Sequence, residues 1–136
     1  MPNRKGTKQS EHDGAVYAAQ DIYRQNGKNV WINAGSEKNK EWAGRYIDVI
    51  ATENPRSESA WVTEIETDDS ISDSEAKNQW KDYALAYGRW HLAVPVSSQA
   101  DAEQLLRKHQ ISNCTVITWR ADSDGSSTFW GLPGIN

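Results

Sequence analysis

The chain has 136 residues, a length that predicts one domain around a single core. Its net charge of −4 and isoelectric point near 5.3 argue against a protein held to nucleic acid by bulk positive charge, so nucleic-acid binding would need a local basic patch or a metal. The single cysteine, Cys114, excludes an intramolecular disulfide framework and lies in an apolar run typical of a core residue.

Residues 1–9 are basic, but no apolar stretch typical of a signal peptide follows them. No run in the chain is long enough to span a bilayer, so we expect a cytoplasmic protein without membrane contact. The first helix is predicted from Ser10, as its N-cap, to the residue before Gly27. A short strand at 30–32 and a polar loop of residues 34–44 follow.

Two strands are predicted next, over about 45–52 and 60–67. Ser72 and Glu75 then form a capping box that begins a helix ending at Gly88. Later elements are a strand at 91–96, a helix at about 99–109 and strands at about 113–119 and 128–130. Because three successive strands precede a strand–helix–strand unit, we predict an α/β fold with a mixed central sheet flanked by helices, in the order αβββαβαβ. Its core covers about 10–119, between a basic N-terminal arm (1–9) and a C-terminal tail (120–136).

Three carboxylates interrupt segments that otherwise have the pattern of buried strands. Glu64 and Glu66 share one face of their strand, and Asp48 lies in an apolar run typical of a strand covered on both faces. If Asp48 projects onto the same face, the acids converge and their repulsion is relieved most simply by a bound cation, Mg²⁺ or Mn²⁺. Alternatively, Glu64 and Glu66 lie on the solvated face of a hairpin, or the acids form a salt-bridge surface on a small α/β binding protein.

This order of elements and these acids resemble the PD-(D/E)XK nuclease superfamily, which includes many restriction endonucleases, Holliday-junction resolvases and RecB-type exonucleases. Gly44-Arg45-Tyr46-Ile47-Asp48 matches the family's first motif, with Ile47 in place of proline. Glu64-Ile65-Glu66 matches the second, with Glu66 where the family usually carries lysine. The resemblance implies a metal-dependent nuclease acting on DNA, with Asp48, Glu64 and the backbone carbonyl of Ile65 as metal ligands.

The same resemblance implies roles for further residues. A minority of restriction endonucleases carry an E-x-E arrangement, in which the second glutamate, here Glu66, is proposed to position or deprotonate water. In other members the lysine has moved to the following helix, where Lys81 is the first candidate and Lys77 the second. Resolvase-like members carry a glutamate near the start of the first helix, and Glu11 after Arg4-Lys5-Gly6 fits as a further metal ligand. A first-turn acid that interacts with the helix dipole is the alternative for Glu11.

DNA-binding residues are predicted from a second motif and from the nearby basic residues. Gln79 and Tyr83 match the Q-x-x-x-Y pattern of RecB-like members, and their spacing places both on one helical face, where they can orient DNA or the acids. Tyr83 is alternatively a core aromatic, and Trp42, in a polar loop, is a candidate to stack on a base. The basic residues expected near phosphates are Lys5, Lys8, Lys38, Lys40, Arg45 and Lys77.

The main alternative is a non-catalytic member of the same fold, kept as a nucleic-acid or protein interaction module. The missing lysine and the negative net charge support it. His12, His91 and His109 have no ligand spacing with one another or with Cys114, which argues against a zinc site. The sequence has no Gly-rich phosphate loop and no Ser nucleophile elbow. Because symmetric duplex cleavage usually needs two-fold symmetry, a homodimer is expected.

Overall fold

The computed structural model describes residues 6–135, which form a six-stranded mixed sheet in the order β1-β2-β3-β4-β5-β6. Its strands are β1 (Asn29–Ile32), β2 (Val49–Thr52), β3 (Trp61–Ile65), β4 (Trp90–Pro95), β5 (Cys114–Ala121) and β6 (Ser127–Trp130). The first three strands pair antiparallel, β4 lies parallel to both β3 and β5, and β6 pairs antiparallel with β5. The predicted α/β class with a mixed sheet is confirmed.

The helices supply the crossover connections that the parallel strands need. The first helix, α1, spans Gly6–Gln25. Between β3 and β4 run α2 (Asp73–Glu75), a π-helical turn (Ala76–Trp80) and α3 (Lys81–Ala86), together called the helical segment 73–86. Between β4 and β5 lies α4 (Gln99–Lys108). Among residues 6–135, none of the helices combines the length and the apolar character that crossing a bilayer requires.

The ends of α1 differ from the prediction at one end and agree at the other. Gly6 through Gln9 are helical, so Ser10 lies inside α1 and is not its N-cap, and the predicted basic arm is helix over these four residues. Met1 to Lys5 lie outside the described residues. Gly27 has a φ of +73°, the left-handed conformation that a glycine adopts after a helix end.

Helices cover both faces of the sheet because its strands are apolar on both alternations. On one face, α1 packs small residues such as Ala15 and Ala19 against Val49 and Ile65. On the other face, the helical segment 73–86 and α4 pack against residues that include Ile50 and Val62. Glu64 has the same parity as Val62 along β3 and therefore points toward the helical segment.

The segment after residue 119 belongs to the fold and is more than a tail. It completes β5 and forms β6, and Leu132 is buried in the core beneath α1. The Tyr23 hydroxyl donates a hydrogen bond to the Pro133 carbonyl at 2.7 Å. Cys114 packs against the opposite core, and its burial raises the pKa of the thiol to about 12, which fits a packing role.

Candidate functional site

Four acidic side chains converge where β2 begins and β3 ends. Asp48 immediately precedes β2, Glu64 lies on β3, Glu66 directly follows β3, and Glu75 ends α2. Carboxylate oxygens of Glu64, Glu66 and Glu75 lie within 4.8 Å of one another, and the Asp48 N–H donates to Glu64 Oε1 at 3.2 Å. None of the four residues is more than 8% exposed. Glu64 and Glu66 converge as expected and Glu75 joins them, while Asp48 meets this group through its contact with Glu64.

Burial and mutual repulsion dominate the electrostatics of this cluster. The pKa of Glu64 is raised well above its usual value, first by burial and then by the charges of Asp48, Glu66 and Glu75. The pKa of the Tyr83 phenol is also raised, by burial and by the neighbouring carboxylates, so its hydroxyl stays a hydrogen-bond donor at neutral pH. The site therefore favours whatever brings positive charge to it, a proton or a metal cation.

Asp48 is held in place by two donors from different elements. Its Oδ2 accepts from the Ile65 N–H at 2.8 Å and lies 3.0 Å from His12 Nε2 on α1. The other ring nitrogen, Nδ1, lies 2.9 Å from Asp13 Oδ1, which also accepts from the Gly35 N–H at 3.0 Å. An imidazole donates to both carboxylates only when both of its nitrogens carry a proton. Asp13, His12 and Asp48 thus form a chain from the loop after β1 into the acid cluster.

The residue of α1 that reaches the acids is His12 rather than the neighbouring Glu11. Glu11 pairs with Lys8 at 3.4 Å and its side chain is 40% exposed, whereas His12 is 2% exposed. The role of Glu11 as a metal ligand stays a prediction. The sequence did contain a signal for His12, because it precedes Ala15 and Val16 by three and four residues and so continues the buried stripe of the helix.

Glu66 is fixed in the interior by protein donors on both of its oxygens. Oε1 accepts from the Ser70 hydroxyl at 2.5 Å, and Oε2 accepts from the Trp80 indole N–H at 2.8 Å. The backbone carbonyl of Glu66 accepts from the Trp119 indole N–H at 2.9 Å. Its side chain is fully buried, so the predicted role in orienting a water molecule would require a path into this interior position.

Glu75, Gln79 and Tyr83 form a ladder along the helical segment 73–86. In the amide orientation that satisfies both neighbours, Gln79 donates to Glu75 Oε2 at 2.5 Å and accepts from the Tyr83 hydroxyl at 2.8 Å. The predicted placement of Gln79 and Tyr83 on one helical face is confirmed. Glu75 was missed as a site residue because its capping-box position already explained it, and the Ser72 hydroxyl does accept from the Glu75 N–H at 3.1 Å.

Two adjoining cavities reach this cluster from outside. The inner cavity, with a volume of about 70 Å³, is lined by residues that include His12, Lys38, Asp48 and Glu64. The outer cleft, with a volume of about 490 Å³, is lined by Gly44, Arg45, Tyr46, Ser74, Glu75, Asn78, Gln79, Asp82 and Tyr83. Tyr46, Gln79 and Tyr83 line both, so the two spaces meet along these side chains.

The loop of residues 34–46 carries basic and aromatic residues, of which Lys38 and Tyr46 line the inner cavity while Lys40 and Trp42 line neither cavity. Lys38 Nζ lies 5.6 Å from the ring centre of Tyr46. Lys40 Nζ lies 4.5 Å from the ring centre of Trp31, which stacks on Trp42 at 6.3 Å. These distances are typical of cation–π and aromatic contacts.

The remaining predicted basic residues have other surroundings. Arg45 makes a bidentate ion pair with Asp82, at 2.7 and 2.9 Å across the outer cleft. Lys81 lines a separate depression with Leu85 and His109 and does not line either cavity at the acids. Lys77 is exposed on the helical segment. Lys8 pairs with Glu11 and also with Asp68, and Lys5 lies outside the described residues.

Asn33 holds the loop of residues 34–46 in place and was not predicted from the sequence. Its amide nitrogen donates to the carbonyls of Lys40 and Ile47 at 2.8 and 2.7 Å. Its carbonyl oxygen accepts from the N–H groups of Asn39 and Lys40 at 2.8 and 2.9 Å. One buried amide therefore joins both ends of the loop, and a lone Asn after a strand gives little sequence signal of this.

No protein-family model, curated protein or solved structure compared with the chain matches it. The buried acids, the two cavities and the loop of residues 34–46 are therefore the observations from which a function is inferred. Together they describe a polar, partly enclosed site with carboxylates at its base and aromatic and basic side chains at its mouth.

Proposed function

We propose that this protein is a divalent-metal-dependent nuclease with a restriction-endonuclease-like fold, which hydrolyses phosphodiester bonds in DNA. One observation carries the proposal: buried acids from three elements converge beside a cavity, and burial and repulsion raise the pKa of Glu64. Carboxylate oxygens are the ligands that Mg²⁺ and Mn²⁺ prefer, so the donor set fits such an ion. The sheet order and the crossover helices support the fold part of the proposal.

Asp48 and Glu64 would hold the cation, with Glu75 close enough to contribute. Ile65 fits as a backbone ligand, because the N–H and C=O of one strand residue point to the same side and its N–H donates to Asp48. A bound divalent ion would lower the pKa of a water molecule and offset charge on the phosphate. His12 orients Asp48, while Tyr83 and Gln79 present neutral hydrogen-bonding groups at the boundary of both cavities.

A specific observation favours a second candidate, a non-catalytic interaction module of the same fold. The groups predicted to orient the attacking water are Glu66, Lys81 and, as the second helix lysine, Lys77, which is exposed and lines neither cavity. Glu66 has both oxygens engaged by Ser70 and Trp80, and Lys81 lines a different depression. Such a module would keep the acid cluster and the cavities and bind nucleic acid without cutting it.

The proposal is tested by titrating Mg²⁺ and Mn²⁺ into the protein by calorimetry, with Asp48→Asn as the site variant and Asp122→Asn as the control. Asp122 lies in the β5–β6 connection, where Thr128 and Arg120 hold its carboxylate. We expect Asp48→Asn to weaken the binding of the ion about 10-fold or more, since the loss of metal-site partners lowers metal affinity by at least that factor. Asp122→Asn should bind as the wild type does.

The same proteins are then supplied with Mg²⁺ or Mn²⁺ and offered linear, branched and single-stranded DNA. Cleavage by the wild type and by Asp122→Asn, but not by Asp48→Asn, is the expected result. If the wild type binds the ion and DNA but cleaves none of the substrates, the nuclease assignment is wrong and the non-catalytic interaction module is the function that the result supports. A wild-type protein that binds neither ion would overturn the metal site itself.

A further inference from the structure

We propose that the outer cleft binds one unpaired nucleobase, stacked on Tyr46, while the adjoining phosphate lies at the inner cavity. The substrate would then be single-stranded DNA, or a duplex with an unpaired nucleotide. This inference rests on the proposed function and names its substrate class. It follows from the size of the cleft, from its charge and from the residues that it shares with the inner cavity.

The size of the outer cleft suits one nucleoside. Its volume of about 490 Å³ lies within the range of about 300–1,000 Å³ typical of sites for small organic ligands. The inner cavity, at about 70 Å³, is too small for a base and sugar and lies directly at Asp48 and Glu64. Because Tyr46, Gln79 and Tyr83 line both spaces, a nucleotide can place its base in one and its phosphate in the other.

The charges favour this orientation over the reverse. In the outer cleft Arg45 is already paired with Asp82, and Glu75 adds a further carboxylate, so a phosphate placed there would be repelled. A neutral base has no such penalty. The inner cavity is lined by Lys38 and also by carboxylates that include Asp48 and Glu64, and the cation that the proposed function places at these acids would offset the charge of a phosphate there.

Tyr46 is the stacking surface because it is aromatic, exposed and placed at the junction. It is 41% exposed, and Lys38 lies over its ring at 5.6 Å, which brings positive charge beside the position of the phosphate. The Gln79 amide is held by Glu75 and Tyr83, and the exposed Asn78 adds an amide able to contact a base edge. A base already free of a partner enters such a pocket at the lowest cost, because unstacking and unpairing a duplex base costs a few kcal/mol.

The experiment measures fluorescence anisotropy of labelled DNA with Ca²⁺ in place of Mg²⁺. The probes are a short single strand, the same strand with one abasic site at its centre, and a blunt duplex of the same sequence. The variants are Tyr46→Ala and Tyr46→Phe, with Tyr17→Ala as the matched control. Tyr17 is 49% exposed on α1 and lines neither cavity.

We expect the single strand to bind more tightly than the duplex, and Tyr46→Ala to weaken it about 5- to 150-fold, the loss that removal of one stacking contact produces. Tyr46→Phe and Tyr17→Ala should bind as the wild type does. The abasic strand should bind weakly and be insensitive to Tyr46→Ala. Equal loss on both strands, a preference for duplex, or no binding of any probe would overturn the inference. In the cleavage assay with Mg²⁺, cleavage that does not change in the Tyr46 variants would overturn the inference and leave the nuclease proposal intact. Binding that depends on Tyr46, without metal-dependent cleavage, would overturn the nuclease proposal and leave the inference intact.

Discussion

The acids of this protein fall into an inner and an outer group that behave in opposite ways. In the outer group, Lys108 and His109 lower the pKa of Asp73, and Arg45 lowers the pKa of Asp82. In the inner group, burial and three other carboxylates raise the pKa of Glu64. Each outer acid has a cationic partner in the chain that favours its charged form, whereas every group acting on Glu64 disfavours the charged form of that carboxyl. On the proposed function, a bound cation would lower the pKa of Glu64 as Arg45 lowers that of Asp82.

The largest effect that tests this comparison is expected from Glu64→Gln. Turnover should fall about 100-fold or more, because a lost metal ligand removes several kcal/mol of charge stabilisation. Without metal, however, the variant should unfold at a higher temperature than the wild type, since a neutral amide at this position avoids burying a charge and removes the repulsion with Asp48 and Glu66. Turnover and thermal unfolding in EDTA measure the two effects. A variant that loses both activity and stability would mean that Glu64 serves the fold.

The pH dependence of the same variant provides the control. The folded-state pKa of Glu64 lies above the usual 4.5, so the folded protein holds this proton more tightly than the unfolded chain. Its contribution to the free energy of unfolding is complete below about pH 4.5 and is lost as the pH rises through the folded-state value. Glu64→Gln should reduce the loss of unfolding free energy as the pH rises, and Mg²⁺ added to the wild type should reduce it as well. Identical stability profiles for variant and wild type would contradict it.

A smaller effect is expected from Trp80→Phe, compared with Trp90→Phe. Both indoles are fully buried, but Trp80 donates to the Glu66 carboxylate at 2.8 Å and Trp90 to the neutral Asn113 amide at 3.3 Å. Because hydrogen bonds to charged groups contribute about 1.5–3 kcal/mol and neutral ones about 0.5–1.5, Trp80→Phe should cost roughly 1 kcal/mol more. Urea unfolding measures the difference. Equal costs would mean that the hydrogen bond to Glu66 is no stronger than the one to Asn113.

The smallest effect is expected in the outer group, from Asp82→Asn. The pair with Arg45 is bidentate, but both side chains are more than a third exposed, so its loss should cost less than about 1 kcal/mol. Because Arg45 lowers the pKa of Asp82, this contribution is present above about pH 4 and is lost as the pH falls. Urea unfolding at low and high NaCl should show the cost shrinking with salt. A cost of about 2 kcal/mol or more, independent of salt, would place Asp82 with the inner acids.

Much of the fold followed from local patterns in the sequence. Strand alternation and turn residues gave the order of the elements, and the Ser72 hydroxyl caps the helix that it was predicted to cap. Periodicity also placed Glu64 and Glu66 together, and the spacing of four residues gave the contact between Gln79 and Tyr83. These features depend on neighbours along the chain, which a sequence displays directly.

The missed residues depend on contacts between distant segments. His12 meets Asp48 across 36 positions, and choosing Glu11 in its place selects a side chain about 100° away around the helix. Glu75 had a sufficient local explanation as a capping residue, which concealed its second contact with Gln79. The π-helical turn Ala76–Trp80 lies between Glu75 and Tyr83 and changes the angle between them around the helix axis. No pattern in the sequence predicts this turn.

The Asn33 amide anchors a short loop segment, residues 41–46, whose sequence can vary without disturbing the sheet. Because this one side chain fastens the chain at Lys40 and again at Ile47, the stretch between them is tied down at both ends by bonds to main-chain atoms. Substitutions at the exposed Glu41 leave those two anchor points and the strands untouched. Variation confined to this stretch can therefore alter the rim of the site while the sheet beneath it keeps its shape, which makes it the natural place to diversify a library.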